Sequence, residues 1–379
     1  MNDNPVRILH VIGAMNRGGA ETIVMNLYRC IDRTKIQFDF LVGTDEECDY
    51  DREIRELGGC IYSLPRFTGT NYRAYKKACR DFFRSHRYPI VHGHIGSSAA
   101  IYLSEAKKAG AFAIAHSHAQ HFPLSPGEIA FRMLSFPTRF IADYFIACSQ
   151  QAGLDRYGRK IAESARYHIL KNGIDSASYR FDEQTRKRIR DELSIPNDAL
   201  VYGHVGRFDP IKNHVFLIDV FEATLEKKPD AFLVLAGRED AARSIRKRCE
   251  NDGIQDKVRF LGLREDICHV LSAMDVFIFP SFKEGLPMAT IEAQASGLPC
   301  LISTGVPSLA QVGDRTDFLP LSAGARAWSD AAIEKFEDGR SVDRANAVDD
   351  IRNAGFDIDA STAWLQDFYL DIAEKGRIS

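Results

Sequence analysis

The chain has 379 residues, of which 45% are hydrophobic and 27% are charged, a composition typical of a soluble globular protein with two domains. Its eight cysteines are scattered without a Cys-x-x-Cys pair, which argues for reduced thiols in a cytoplasm and against a disulfide framework or a zinc site. No apolar run approaches ~18 residues and no signal peptide is recognisable, so we expect neither a membrane span nor a secretory leader.

The net charge of −3 is unevenly distributed along the chain. Residues 1–173 carry a net charge of +6, and the remaining residues carry −9. A basic first half indicates an anionic partner for that half. We therefore keep contact with an anionic membrane surface as an alternative, and we expect no nucleic-acid partner.

The first half predicts strands that alternate with helices. An apolar run over residues 6–12 predicts the first strand, and a helix from residue 20 to about residue 30 follows a glycine-rich loop. Gly18 and Gly19 of that loop can cradle an anion at the helix N-terminus. A tight turn between strand and helix is the alternative, and the dinucleotide fingerprint G-x-G-x-x-G is absent.

Two polar features of this half have competing interpretations. Asp49-Tyr50-Asp51 is an Asp-x-Asp triplet of the kind that binds metals, but its acidic neighbours predict a solvated loop. Residues 71–87 predict an amphipathic helix with an aromatic stripe and a basic face. Such a helix either lies on an anionic membrane surface or packs its aromatic stripe on the sheet.

Histidines cluster near two further predicted strands, at residues 90–92 and 111–115. We expect each of them to lie just after an apolar strand: His92, His94, His116, His118 and His121. Metal ligation needs convergent geometry that the sequence does not supply, so we expect no metal site. We expect one or two of these side chains to line a cleft, and a packed structural histidine is the alternative for each.

A turn at Asn172-Gly173 separates the two halves of the chain. We place the domains at residues 1–173 and 174–360, followed by a terminal amphipathic helix within 361–379. A predicted strand over residues 200–207 opens the second half and leads to Arg207 and Lys212. Two cations that follow a strand can bind an anionic ligand, and ordinary surface cations are the alternative.

Residues 276–299 combine a strand, a loop and a helix. The apolar run 276–279 predicts a buried strand, and Pro287 and Gly297 mark the two ends of the helix. The loop lies at the carboxyl end of the strand, where open α/β sheets bind ligands. The helical part between Glu284 and Glu292 spans ~8 Å, which suits the two ends of an extended, hydroxyl-rich ligand. The alternative is a helix-capping glutamate and a solvated one.

The setting of these two glutamates, Pro-Ser-x-x-Glu-Gly-Leu-Pro…Ile-Glu-Ala-x-Ala-x-Gly-Leu-Pro, resembles the signature of the retaining glycosyltransferases of family 4. The resemblance covers nearly the whole chain and is greatest to bacterial exopolysaccharide and capsule transferases. It implies the GT-B fold, an α/β fold of two doubly wound Rossmann-like domains that face across a cleft. It also implies that the terminal helix crosses back to the first domain.

The resemblance implies roles for particular residues. Glu284 would contact the donor sugar, Glu292 the ribose, and Arg207 and Lys212 the diphosphate. His118 would lie at the transferred sugar, with His116 as the competing position. The implied catalytic residues are His118, Glu284, Arg207 and Lys212. The implied donor-binding residues are Gly18, Gly19, Gly206, Arg207, Lys212, Leu263, Arg264, Glu284, Gly285, Leu286, Pro287 and Glu292.

We therefore expect a cytoplasmic, retaining transferase that needs neither metal nor cofactor. It would move a hexosyl unit from a nucleotide sugar, with a UDP-sugar favoured, to a hydroxyl of a glycan or lipid-linked glycan. Three alternatives remain: a nucleotide-sugar 2-epimerase of the same fold, a catalytically weak scaffold subunit of a polysaccharide assembly complex, and a Rossmann oxidoreductase. The last would need the missing dinucleotide fingerprint.

Overall fold

The computed structural model of the chain describes residues 4–118, 124–238, 242–339 and 343–375. The chain divides into two compact units, one of residues 1–173 with 358–379 and one of residues 174–357. Each unit contains one parallel sheet, with seven strands in the first unit and six in the second. The predicted α/β class with two doubly wound domains is confirmed.

The first unit alternates strands and helices along the chain. Its strands are β1 Val6–Val11, β2 Ile36–Val42, β3 Ile61–Ser63, β4 Ile90–Gly93, β5 Phe112–Ser117, β6 Tyr144–Ala147 and β7 Tyr167–Ile169. Its helices are α1 Gly19–Cys30, α2 Asp51–Glu56, α3 Tyr72–Ser85, α4 Ala99–Lys108, α5 Pro126–Ser135, α6 Thr138–Ile141, α7 Gln150–Tyr157 and α8 Arg159–Ala162. The strand order β3-β2-β1-β4-β5-β6-β7 reverses direction between β1 and β4.

The second unit repeats this arrangement. Its strands are β8 Val201–Val205, β9 Phe232–Ala236, β10 Val258–Phe260, β11 Val276–Phe279, β12 Cys300–Ser303 and β13 Thr316–Leu319. Its helices are α9 Glu183–Glu192, α10 His214–Leu225, α11 Arg243–Asn251, α12 Ile267–Ser272, α13 Met288–Ala295, α14 Ala325–Gly339 and α15 Ala347–Asn353. The order β10-β9-β8-β11-β12-β13 reverses between β8 and β11.

Both sheets are covered on both faces, which explains their continuous apolar strands. Alternate residues of one strand pack into different hydrophobic clusters, as Ile8 and Leu9 do in β1. Phe277 and Ile278 of β11 divide in the same way. Because successive side chains of a strand point to opposite faces, a parallel sheet between two helical layers needs apolar residues at every position.

The last helix, α16 Ile358–Lys375, belongs to the first unit. It contributes Ile358, Leu365, Tyr369 and Ile372 to the cluster that also contains residues of β1, β2 and α1. The predicted return of the terminal helix to the first domain is confirmed, although the helix begins at residue 358 rather than 361. In the described ranges, no helix is both long enough and apolar enough to cross a membrane.

Several local predictions need correction. The Asp-x-Asp triplet is not a solvated loop, because Tyr50 and Asp51 are buried and Asp51 begins α2. Its carboxylate accepts a hydrogen bond from the backbone N–H of Cys48 at 3.0 Å. No sequence pattern indicated β3, β7 or β13. These strands are only three or four residues long and their side chains are mostly half-buried, so they lack a continuous apolar run.

The basic helix is α3, and its aromatic stripe packs inward. Tyr75, Phe82 and Phe83 are buried in a cluster with residues of β4 and α4. The aromatic side chains are therefore used in the core of the unit, as the second of the two interpretations predicted. Of the basic face, Lys77 pairs with Asp81 and Arg80 pairs with Glu105.

Candidate active site

Loops that follow β8 and β11 carry the predicted catalytic residues of the second unit. The two strands are neighbours in the sheet, and the strand order reverses between them. In open α/β sheets, ligands bind outside the carboxyl ends of the strands at such a reversal. The loop after β11 is held to the 3-10 turn Pro210–Lys212 by a hydrogen bond from the Phe282 N–H to the Ile211 carbonyl, at 2.8 Å.

Lys212 and Glu284 form an ion pair, with 2.8 Å between Nζ and Oε1. The two side chains are only 17% and 16% exposed. Ser281 donates a hydrogen bond to the same Glu284 oxygen at 3.0 Å, and the Lys212 ammonium lies 4.6 Å from the centroid of the Phe279 ring. The sequence predicted both residues as ligand contacts but did not predict that they pair with each other.

Gly206 and Arg207 lie at the start of the loop after β8. Lys212 extends past Gly206, because a Cβ built on Gly206 would lie 3.5 Å from Lys212 Cε. A Cβ on Gly237 would lie 1.9 Å from the Gly206 carbonyl oxygen, so only glycine fits where these two loops meet. Arg207 is exposed. The loop thus presents an exposed cation beside one that is already paired with a carboxylate.

Glu292 lies in α13, and the hydroxyl of Tyr179 hydrogen-bonds to it. Burial raises the pKa of Glu292 to about 7, and the hydrogen bond from Tyr179 opposes that rise only in part. A carboxyl group with this pKa changes its charge near neutral pH. Tyr179 comes from a short 3-10 turn near the start of the unit, and no sequence signal pointed to it.

The remaining predicted donor-binding residues of the second unit lie in two loops. Pro287 is the N-cap of α13 rather than its first helical residue. A side chain built on Gly285 would meet no atom of the described residues within 4 Å, so they leave open space beside that loop. Leu286 packs against two hydrophobic clusters, whereas Leu263 is 50% exposed.

Arg264 pairs with Asp266 at 2.7 Å and with Glu192 at 2.6 Å, so its side chain is already engaged in ion pairs.

The first unit contains a stack of imidazoles on one face of its sheet. His10 of β1 lies beside His92 of β4, and His94 and His118 follow β4 and β5. Because side chains two residues apart point to the same face, His116 and His118 both belong to this stack. His116 lies within β5 rather than after it, which corrects the prediction, and His92 lies within β4, whose predicted range already included it. His121 lies outside the described residues.

Two hydrogen-bonded chains connect these imidazoles. One runs from His10 Nδ1 to His94 Nε2 at 3.0 Å and from His94 Nδ1 to His118 Nε2 at 2.8 Å. The other runs from Tyr369 of α16 to His92 Nδ1, and from His92 Nε2 to His116 Nδ1 at 3.1 Å. Burial lowers the pKa of all five imidazoles, to about 3 for His10 and to about 4 for His118.

The second chain can carry its protons in one consistent direction. Burial raises the pKa of Tyr369 well above its usual value, so its hydroxyl stays protonated and can donate to His92 Nδ1. A neutral imidazole has one N–H and one acceptor nitrogen. When Tyr369 donates, His92 donates through Nε2 to His116 Nδ1, and His116 keeps its own proton on Nε2. In this arrangement the Nε2–H of His116 is a hydrogen-bond donor.

The stack also supplies convergent nitrogen atoms. His10, His92 and His94 form one group, and His94, His116 and His118 form another, with the nitrogen atoms of each group within 4.8 Å of one another. Neutral imidazoles at such spacing suit a borderline divalent ion such as Zn²⁺. The sequence did not predict this convergence, although histidines at every second position of neighbouring strands were the available signal.

Gly18 and Gly19 lie at the start of α1 in the first unit. Gly18 is the N-cap, and its N–H donates to the Asn16 carbonyl at 2.8 Å. In the part of the chain that the structure describes, a side chain built on Gly19 would meet no atom within 4 Å. Glu21 follows in the first turn of the helix, where its charge is favourable. Glu21, His94, His116 and His118 all line one cavity of this unit.

Two family models match the chain. The model described as Glycosyltransferase Family 4 matches residues 17–178, and the model described as Glycosyl transferases group 1 matches residues 185–338. The EpsF protein of Bacillus subtilis, a glycosyltransferase by name, is 32% identical over 381 residues, which is 99% of each chain. The UDP-Gal:alpha-D-GlcNAc-diphosphoundecaprenol alpha-1,3-galactosyltransferase of Escherichia coli is 24% identical over 58% of this chain and 59% of its own.

Solved structures with the same fold cover almost the entire chain. HepE of Anabaena in complex with UDP has a TM-score of 0.77 at 19% identity and covers 97% of this chain and 100% of its own. A glycosyltransferase from Rickettsia africae has a TM-score of 0.79 at 15% identity and covers 98% of this chain and 99% of its own. These likenesses confirm the predicted GT-B fold.

Proposed function

Because the chain belongs to the glycosyltransferases of family 4, we propose that it transfers a hexosyl unit from a UDP-sugar to a hydroxyl of a glycan or lipid-linked glycan. The anomeric configuration is retained, and no metal ion or other cofactor takes part. The product belongs to a surface polysaccharide or exopolysaccharide. The enzyme works in the cytoplasm, with peripheral contact at the inner face of the cytoplasmic membrane.

The observation that carries this proposal is the Lys212–Glu284 pair outside the carboxyl ends of β8 and β11. A nucleoside diphosphate leaving group gains negative charge as the bond to the sugar breaks. Lys212 and the exposed Arg207 stabilise that charge, and Glu284 accepts hydrogen bonds from hydroxyls of the sugar. Glu292 accepts hydrogen bonds from the ribose hydroxyls, and His118 lies at the transferred sugar.

Relatives support the choice of donor and acceptor. HepE has been crystallised with UDP and with UDP-glucose. The Escherichia coli relative uses UDP-Gal and a diphosphoundecaprenol-linked acceptor, as its name states. A UDP-sugar donor and a lipid-linked acceptor are therefore within the chemistry of similar proteins, and the basic first half of this chain is compatible with an acceptor that carries phosphate.

A donor-hydrolysis screen tests the proposal. The purified full-length protein is incubated with UDP-, GDP- and ADP-sugars, with and without chelator, and the released nucleoside diphosphate is measured. Lys212→Ala and Glu284→Ala should each lower turnover by roughly 10²–10³-fold, as expected when a charged group that stabilises the transition state is removed. Lys187→Ala is the matched control, because Lys187 is an exposed lysine on α9 of the same unit.

Each outcome decides one part of the proposal. Turnover of one UDP-sugar that survives the chelator supports the donor and the metal-independent mechanism. Turnover that appears only when a metal ion is added contradicts that mechanism. Binding of UDP without turnover of any donor would favour a scaffold subunit, and free UDP released together with an epimerised free sugar would favour a 2-epimerase.

A further inference from the structure

A cavity of about 310 Å³ lies within the first unit, outside the carboxyl ends of β4 and β5. Part of its lining comes from three members of the imidazole stack, His94, His116 and His118. The opposite part comes from α5, α6 and α7, and neither the sequence nor the proposed function gives these residues a role: Phe131, Ser135, Thr138, Arg156 and Tyr157.

Arg156 is the cation of this cavity, and several contacts hold it in place. Its Nη1 donates a hydrogen bond to Ser135 Oγ at 3.2 Å, and its guanidinium lies 4.0 Å from the centroid of the Phe131 ring. A Cβ on Gly96 would lie 3.3 Å from Nη1 and 2.9 Å from the Phe131 ring. The guanidinium is therefore fixed between α5 and the loop after β4.

The charge of Arg156 is not matched by an acidic partner. Within the described residues, Arg156 forms no ion pair. Of the two acidic residues whose charges act on it, Glu128 pairs with Arg132 at 2.8 Å and Asp155 accepts a hydrogen bond from Gln151 at 2.6 Å. Burial lowers the pKa of Arg156, because the cation has lost part of its hydration. A partly desolvated cation is stabilised when an anion joins it.

Three buried polar atoms of the cavity lining have no hydrogen-bond partner among the described residues. They are Thr138 Oγ1, His116 Nε2 and His118 Nδ1. Thr138 is 3% exposed and His116 is 5% exposed. An unsatisfied buried polar atom costs about 1–3 kcal/mol, so these groups gain when a polar ligand enters. The hydroxyl of Thr138 and the Nε2–H of His116 can both donate.

We propose that this cavity binds a phosphoryl group of the sugar acceptor. Arg156 is its counterion, and Thr138 and His116 are its further hydrogen-bond donors. Guanidinium and phosphate match in geometry and form charge-assisted hydrogen bonds. Glu21 also lines this cavity, and its carboxylate accepts hydrogen bonds from the hydroxyls of the sugar rather than binding the phosphoryl group. The acceptor class is therefore a sugar phosphate or sugar diphosphate, and this identification as an acceptor rests on the proposed function.

The phosphoryl group has two chemical sources, a free sugar phosphate or a lipid-linked one. The outer surface of α5 and α6 is apolar, with exposed fractions of 72% for Met133, 49% for Phe136 and 78% for Phe140. Exposed apolar side chains next to a polar site suit a ligand that carries a hydrocarbon chain. The test therefore includes a lipid-borne phosphate beside a free one.

Binding is measured by calorimetry on the full-length protein. The free probe is glucose 1-phosphate, with glucose as its neutral control. The lipid-borne probe is farnesyl phosphate in phosphatidylcholine vesicles, with phosphatidylcholine vesicles alone as the control. Arg156→Gln should weaken binding of the preferred probe by roughly 10–100-fold, the loss expected for one hydrogen bond to a charged group. Arg159→Gln is the matched control, since Arg159 is 83% exposed and three residues away.

Thr138→Val keeps the proposal testable if Arg156→Gln impairs folding. Valine has nearly the same shape, and the hydroxyl it removes has no partner among the described residues, so the melting temperature should stay the same or rise. Binding of the phosphate probe should nevertheless weaken several-fold. Unchanged affinity in both Arg156→Gln and Thr138→Val, or no saturable binding of either probe, overturns the proposal.

The donor site is a competing place for phosphate, and Lys212→Ala separates the two. Loss of probe binding in Arg156→Gln but not in Lys212→Ala supports the cavity, and the reverse pattern overturns it. The two proposals can fail independently. Donor hydrolysis without phosphate binding at the cavity would leave the transferase function standing alone. Phosphate binding that depends on Arg156, without hydrolysis of any donor, would leave the cavity as a phosphate site without an acceptor role.

Discussion

Glu284 and Glu292 share one helix–loop segment but have different surroundings. Glu284 is paired with Lys212 at 2.8 Å. Glu292 has the Tyr179 hydroxyl as its neighbour, and burial raises its pKa to about 7. Glu292 therefore exists near neutral pH as a mixture of the neutral acid and the carboxylate. The carboxylate is the form that binds the ribose hydroxyls strongly, because hydrogen bonds to an ionised acceptor are stronger than those to a neutral one.

The affinity for UDP should consequently depend on the protonation of Glu292. Below pH ~7 the site must lose a proton before it binds the ribose, so the affinity should rise by up to about tenfold per pH unit and level off above pH ~7. We would measure UDP binding by calorimetry from pH 5.5 to 8.5 in the native chain and in Glu292→Gln.

The informative quantity is the UDP affinity of the native chain divided by that of Glu292→Gln at the same pH. The titration of the phosphate groups of UDP cancels in this ratio. This ratio should increase with pH up to about 7. A ratio that is constant over the whole range would mean that the Glu292 carboxylate does not hold the ribose. Glu284→Gln is the control for the pH profile, because UDP lacks the transferred sugar that Glu284 would contact.

At the scale of single elements, two arginines of α9, Arg186 and Arg190, attach the helix to the sheet of the second unit, and both pair with Asp275. Arg190 is fully buried and donates to the Ala273, Asn197 and Ala199 carbonyls at 2.9 Å each. It also pairs with Asp275 at 2.7 Å. These contacts join the helix to the segments that lead into β8 and β11, the two strands whose following loops carry Lys212 and Glu284.

Arg190→Met should lower the free energy of unfolding of the second unit by about 3–5 kcal/mol, because it leaves buried acceptors without a donor. The chain has two tryptophans, and Trp328 lies in the core of the second unit. In a Trp364→Phe background, Trp328 fluorescence during urea unfolding reports this unit.

Arg188→Met is the matched control, an exposed arginine of the same helix that should change the unfolding free energy by less than about 0.5 kcal/mol. If Arg190→Met and Arg188→Met had equal effects, the buried contacts of Arg190 would not be what holds α9.

The same elements show what the sequence could predict. The strand 276–279 is predicted at its observed bounds, because an apolar run between turn residues is a local signal. The Lys212–Glu284 pair, the Tyr179–Glu292 bond and the bond between Tyr369 and His92, whose residues lie 277 positions apart, could not be predicted. Each depends on how distant segments meet, and no single-sequence pattern records that.

At the scale of the whole molecule, the two units should respond differently to acid. Six imidazoles of the described part of the first unit have a lowered pKa: His10, His92, His94, His116, His118 and His168. A base with a lowered pKa binds its proton more readily in the unfolded chain. Its contribution to stability is present above the unfolded pKa of ~6.5 and is lost as the pH falls towards the folded pKa.

The first unit should therefore lose stability steeply between pH 7.5 and 5.5, by up to about 1.4 kcal/mol per pH unit below 6.5 for each such imidazole. In the described part of the second unit, only His204 and His214 are histidines with a lowered pKa. Glu292 acts in the opposite sense, since an acid with a raised pKa favours the folded state as the pH falls through about 7.

Urea unfolding at the two pH values tests this difference, with Trp364 of α16 as the reporter of the first unit and Trp328 as the reporter of the second. The midpoint seen by Trp364 should fall further than the midpoint seen by Trp328. Equal shifts of both midpoints would contradict a role for the imidazole stack.

The contribution of α16 to the first unit has a consequence for the order of folding during synthesis. Domains usually fold as they emerge from the ribosome, in the order of their sequence. Here the cluster that contains β1 and β2 also needs Leu365, Tyr369 and Ile372, which are translated after all of residues 174–357. The second unit can therefore complete its core while the first is still open. On the ribosome, the unit whose synthesis begins first is therefore the one that completes its folding last.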